Sequence, residues 1–288
     1  MRRFLGTIAV LVIAGMLAWI NWDRVGPIID PILGTQTAPD VSVTETGPVT
    51  IGAAPEQRYR FVLIDPTTST DVSFRESMKN DILAALQGYV PPKPTEPAGG
   101  VPAIVGLQLT VRLVSTNSLA FGQENVAISI PSVPGLPARP DMAAPGALDP
   151  LGPYDTWKDS EAEWSSSYDT ALSASATAIE ALQSLSVNTD EQSGILAGVA
   201  ALALLAPTQG DVAFAVLSDL DENRGQQPAP LNGNRVLVVQ PDPLGDVGRW
   251  DALFGSFSSW AVANGAGEIT RVRPELASAA ISTFITGE

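Results

Sequence analysis

Short apolar runs alternate along this chain with stretches whose apolar residues recur at helical spacing. Tyr59–Ile64 is a buried-type strand closing on Asp65, and Phe74, Met78, Ile82 and Leu86 then mark one face of a helix that ends at Gly88. A proline-rich loop, Pro91–Pro102, leads to a second strand, Ala103–Val114, and a third at Asn125–Ile130. The connection between these two is short enough for a hairpin, so the third strand is expected to be antiparallel. Trp157, Trp164, Tyr168, Leu172, Ile179 and Leu182 line one face of a long helix, and core packing accounts for its aromatics. Ile195–Ala206 is apolar nearly all round and too short to span a bilayer, which reads as a buried helix. Strands at Asp211–Leu217, Arg235–Gln240 and Glu268–Val272 follow. A helix carrying Trp250, Leu253, Phe254, Phe257 and Trp260 lies between the last two, and Pro274 opens a final one. Such alternation predicts an α/β fold: a doubly wound, mostly parallel sheet with one antiparallel edge strand and helices on both faces.

The N-terminus has a different character. Phe4–Trp22 carries no charge and is about long enough for a hydrocarbon layer of roughly 30 Å. Arg2 and Arg3 precede it, and Trp19 and Trp22 sit near its far end. Residues 1–25 are therefore read as a single-pass transmembrane signal-anchor, with the rest of the chain on the non-cytoplasmic side. A cleaved signal peptide is the rival reading, but the run is long for one and no good small-x-small site follows it. Residues 26–57, rich in Pro, Thr and Gly, form the expected linker, and 58–288 the domain. Within that domain a proline-rich insertion at about 131–153 lacks periodicity; it is read either as a docking arm or as a surface loop.

Composition narrows the chemistry. The net charge of −15 argues against nucleic acid, whose phosphates demand a basic face. With no cysteine and no histidine there is no thiol nucleophile, no thiolate zinc site and no Ser-His-Asp triad. Oxygen ligands remain, and these suit Mg²⁺ or Ca²⁺.

In open α/β sheets ligands bind beyond the carboxyl ends of the strands. Three loops are expected to meet there: Asp65-Pro66-Thr67-Thr68-Ser69, the polar stretch Ser186–Ser193, and Ser218-Asp219-Leu220-Asp221. Each has a plainer explanation, since D-x-T-x-S also caps helices and Ser193 can cap its own. Taken in order, however, the D-x-T-x-S after the first strand, the hydroxyl opening Ser193-Gly194-Ile195-Leu196-Ala197-Gly198-Val199, and the aspartate closing Val216-Leu217-Ser218-Asp219 resemble the three signatures of a von Willebrand factor A domain, across nearly all of 58–288. The resemblance implies a metal-ion-dependent adhesion site. Asp65, Thr67 and Ser69 would ligate Mg²⁺ (or Mn²⁺ or Ca²⁺) directly or through water, Thr189 or Ser193 would add a hydroxyl, and Asp219 a second carboxylate. A partner protein's acidic residue would complete the shell. Thr67 stands where the family usually has serine, and Thr68 and Leu220 where glycine is common. The expected function is a membrane-anchored protein-binding module. The other classes weighed are a metal-free component of an envelope assembly and a metal-dependent hydrolase. The hydrolase lacks a Walker loop, and Thr67 stands where a phosphatase-like pattern has its second aspartate.

Overall fold

Arg60 and Phe61 on the first strand are both buried, and so is every residue from there to its end, as expected of a strand covered on both faces. The computed structural model describes residues 57–66, 70–114, 125–143, 152–187, 194–221, 227–241 and 246–287. All belong to one unit, Ile51–Glu288. The expected transmembrane anchor and linker lie outside the described residues, apart from Gln57. Among the described residues no helix is long and apolar enough to cross a membrane.

The sheet has six strands: β1 Gln57–Ile64, β2 Gly106–Leu113, β3 Asn125–Ile130, β4 Asp211–Leu217, β5 Arg235–Val239 and β6 Glu268–Val272. Their spatial order is β3-β2-β1-β4-β5-β6; every pairing is parallel except β2 with β3, where Leu109 faces Ile128. The helices are α1 Val72–Tyr89, α2 Pro153–Ser184, α3 Ile195–Leu205, α4 Val247–Ala263 and α5 Ala277–Thr286. Pro274 opens a single 3-10 turn, Pro274–Leu276, ahead of α5.

Alternation along the strands sorts the core into two layers. Val62 and Ile64 of β1 join Ala215 and Leu217 of β4 on the face covered by α1, α2 and α5. Phe61 and Leu63 join Phe214 and Val216 on the face covered by α3 and α4. The second layer is narrower. On β2 and β3 that face carries exposed Gln108, Ala127 and Ser129, which explains why β2 alternates where β4 is continuously apolar. Helix α3 lies close against the sheet: a Cβ added at Gly198 would sit 2.7 Å from Leu63 Cδ1.

The described part of the proline-rich segment is not merely a surface loop. Val133 and Leu136 are buried and bridge antiparallel to Ile104 and Val101, prolonging the β2–β3 pairing. Trp157 of α2 donates its indole N–H to Pro137 O at 3.0 Å.

Candidate functional site

β1 and β4 are parallel neighbours with Ile64 opposite Leu217, so the loops that follow them leave the sheet side by side. β1 goes on to α1, over one face, while β4 follows α3, on the other. The strand order therefore reverses direction between β1 and β4, the place where open α/β sheets hold their ligands.

Asp65, fully buried, takes the first position beyond β1. Its backbone N–H donates to Leu217 O, continuing the sheet by one step. Its carboxylate accepts a hydrogen bond from Ser218 Oγ at 2.7 Å, and Ser218 is also fully buried. Burying a carboxylate is costly unless hydrogen bonds replace its water, and the Ser218 hydroxyl supplies one. The neighbouring backbone is fastened too. Thr70 Oγ1 donates to Asp65 O at 2.8 Å, and the buried guanidinium of Arg75, one turn into α1, donates to Pro66 O.

Asp219 is half-buried and turns its carboxylate back on its own loop, accepting from Asp221 N at 3.0 Å. Between them Leu220 adopts φ 65°, the left-handed region that favours glycine. The resemblance leads one to expect glycine here, and the backbone has the conformation a glycine would take. Leucine in this conformation costs about 1–2 kcal/mol. Its side chain is 4% exposed and packs into the α3–α4 layer, and such burial contributes about 1.5–3 kcal/mol in the other direction. Its N–H donates to Ser218 Oγ at 2.9 Å, so one hydroxyl serves both Asp65 and the turn.

Beyond β5, buried Gln240 donates through Nε2 to Asp219 O at 3.1 Å and to Trp250 O at 3.3 Å, tying the β4 loop to the first turn of α4. Two of the helices that begin at this edge, α1 and α4, are capped by aspartate. Asp71 accepts from Ser73 N at 2.8 Å and Asp246 from Arg249 N at 3.0 Å. The backbone and side-chain hydrogen bonds from Ser73, with a smaller pull from Arg75, hold the Asp71 carboxyl below its usual range. Arg249 also pairs with Asp221 at 2.5 Å.

Of the six expected ligands, Thr67, Ser69, Thr189 and Ser193 lie outside the described residues. Asp65 and Asp219 stand at the ends of adjacent strands. Sequence reasoning missed Ser218 as the residue that meets Asp65. The sequence places Ser218 at the end of its strand, but only the β1–β4 register, with Ile64 opposite Leu217, sets it opposite Asp65. Among the described residues no group of three or more acidic side chains gathers as a metal cage. The oxygens present are nevertheless the hard donors that Mg²⁺ takes. Asp65 and Asp219 would hold the ion only with hydroxyls added from the loops 67–69 and 188–193.

No protein-family model matches the chain, and no curated protein matches it.

Proposed function

We propose that the chain is a membrane-anchored protein-binding module of the von Willebrand factor A type, engaging its partner at the C-terminal edge of the sheet. The observation that carries this reading is Asp65, buried at the point where strand order reverses and hydrogen-bonded to Ser218 of the adjacent strand end. A buried carboxylate costs stability that an apolar residue would not, which points to a role other than folding. In this reading Asp65 and Asp219 supply two negative charges toward Mg²⁺, while Thr67, Ser69 and Thr189 or Ser193 supply neutral oxygens. The ion then stays electrophilic enough to take a partner's carboxylate. Residues 1–25 tether the domain on the non-cytoplasmic side, which protease protection of the full-length chain in sealed membranes would test.

The test of the site is the thermal midpoint of the full-length chain in detergent, in EDTA and then in Mg²⁺, Mn²⁺ and Ca²⁺. A ligand that binds only the native state stabilises by about 2.7 kcal/mol at a hundredfold excess over its dissociation constant. The expected result is a Mg²⁺- or Mn²⁺-dependent rise that disappears in Asp65→Ala and Asp219→Ala. No rise at millimolar metal would defeat the metal-dependent form. It would favour a metal-free component of a membrane assembly, a reading supported by the existing bonds of Asp65 to Ser218 and of Asp219 to its own turn.

A further inference from the structure

The sheet ends differently on its two sides. β6 closes one side and carries Glu268 and Arg271, charges that discourage a further strand. β3 closes the other side with six residues, Asn125–Ile130, that include no charge and no proline. Proline enters only in its continuation, at Pro131, Pro134 and Pro137, none of which has an N–H to donate. Among the described residues β3 pairs with β2 alone, so the N–H and C=O groups of its alternate residues point away from the sheet. A groove of about 720 Å³ lies between β3 and α2. Ala127, Ile128 and Ser129 all line it. Successive strand side chains point to opposite faces, so three in a row share one groove where it follows the main-chain edge.

The facing wall is one side of α2: Ser166, Thr170, Ser173, Ala174, Thr177 and Ala181, stepped by three or four residues along successive turns. All are small. Thr170 and Thr177 turn their hydroxyls back on Ser166 O and Ser173 O, at 2.9 and 3.1 Å, so these donors are used within the helix. Strand and wall match in length, since six strand residues span about 20 Å and the helix from Ser166 to Ala181 about 22 Å. Among the described lining residues only Asp169 is charged, and Lys93 holds it at 2.7 Å. Beyond one end of the groove the same face of α2 continues with exposed Asp159 and Glu163, and exposed Glu180 lies beside the other end. The cations nearby are engaged: Arg139 and Lys158 stack on Tyr154 at 5.3 and 5.6 Å, and Arg112, opposite Asn125, is buried. The groove is thus neutral along its length and acidic at its ends, which suits an uncharged occupant whose own ends are not acidic.

We propose that β3 takes a further strand from another protein: an extended segment of about six residues, uncharged where it pairs, with a branched aliphatic side chain at every second position. A row of outward N–H and C=O groups is matched by another strand, and β3 supplies that row. The aliphatic side chains then lie against the small wall of α2, which selects among segments. A second copy of this chain fits less well. Antiparallel pairing of two β3 strands turns the domains end for end, so the starts of their β1 strands, where both tethers enter, face opposite ways. Symmetric parallel pairing turns Ala127 and Ser129, rather than Ile128, toward the wall of α2. The first of these two points rests on reading residues 1–25 as a tether; the added strand itself needs neither that reading nor a metal ion.

The experiment titrates a synthetic peptide, Lys-Thr-Val-Thr-Ile-Thr-Val-Thr-Lys, into the full-length chain in detergent and EDTA, following fluorescence anisotropy and amide hydrogen exchange. The expected result is saturable binding with slowed exchange centred on Asn125–Ile130. Methylating the amide nitrogens of the Val and Ile residues removes the donors of one peptide edge, and methylating those of the Thr residues removes the donors of the other. One set should abolish binding and the other should leave it. Ser173→Phe with Thr177→Phe fills the groove from exposed positions and should weaken binding by about tenfold. Ser256→Phe with Ser259→Phe, at exposed positions of α4, should not. Glutamate in place of the two terminal lysines should weaken binding several-fold. Binding indifferent to both methylated sets, an equal loss in the α4 control, or no binding at millimolar peptide overturns the proposal. A full-length chain that is dimeric, and becomes monomeric in Ser173→Phe with Thr177→Phe, overturns it in favour of a second copy. Peptide binding that persists where Mg²⁺ and Mn²⁺ give no thermal shift would uphold this edge while removing the metal-dependent one, and a metal response without peptide binding would do the reverse.

Discussion

The two edges of the sheet use the same residue types differently. At the N-terminal edge, Asp211 is surrounded by Arg60 at 2.6 Å, Arg235 at 3.3 Å and Arg58 at 3.5 Å. Arg60 is fully buried, and it donates also to Asp211 O at 2.7 Å and to Phe284 O in the last turn of α5. There a charge is enclosed by counter-charges and by the carbonyls of a helix C-terminus, where cations are favoured. At the C-terminal edge, Asp71, Asp219 and Asp246 are instead fastened by backbone N–H groups, which fix each carboxylate without cancelling it. Counter-charge closes one edge, and neutral donors keep the other negative and facing outward. The two ends of the same strands thus hold their carboxylates in opposite ways.

The comparison breaks most visibly at Asp211. Asp211→Asn leaves Arg60 buried without its carboxylate. Removing one member of a buried pair costs about 3–5 kcal/mol, and the partial exposure of Asp211 puts the expected loss at about 3 kcal/mol in denaturant unfolding. Acid sharpens the point. Burial pushes the Asp211 carboxyl up, but hydrogen bonding and charge from Arg60, with Arg235 and Arg58, outweigh it and hold the carboxyl below its usual range. A group depressed on folding contributes stability above its unfolded value, near 4, and loses it as pH falls through the folded value. The stability gap between wild type and Asp211→Asn should therefore be constant from neutral pH down to about 5 and shrink below about 4.

At the opposite edge a smaller loss is expected. Ser218→Ala deprives buried Asp65 and Leu220 N of one shared partner, at about 1–3 kcal/mol, with unfolding again the measurement. The smallest effect belongs to the two helix caps: Asp71→Asn with Asp246→Asn should change stability by less than about 0.5 kcal/mol, because asparagine caps as aspartate does. A loss as large as that of Asp211→Asn would mean that the two edges are not divided in this way.

Much of the fold was legible because runs such as Asp211–Leu217 and Glu268–Val272 are bounded sharply by turn residues, and both strands span those residues. β1 starts earlier than its apolar run, at Gln57, because pairing with β2 is made by main chain that polar side chains do not interrupt. The β2–β3 hairpin was legible from its short connection, but the parallel pairings across the sheet could not be read. Arg60 and Asp211 are 151 positions apart, and only the β1–β4 register brings them together. Nor could Val133 and Leu136 be recognised as buried, since the prolines around them hide the extended pairing with Val101 and Ile104. Strand ends advertised Asp65 and Asp219, but spacing could not say that one serine lies between their roles.

Leu220 links the chemistry of the edge to the rigidity beneath it. Its backbone is held in a conformation leucine resists, and its side chain is sunk in the α3–α4 layer. The main chain at Asp219 is thereby anchored beside a side chain sunk in the core, so a movement of the loop backbone has to move a piece of the core with it. The loop thus behaves as a lever with its short arm buried: an outward pull on the acidic edge is felt first as a loosening of the packing around α3.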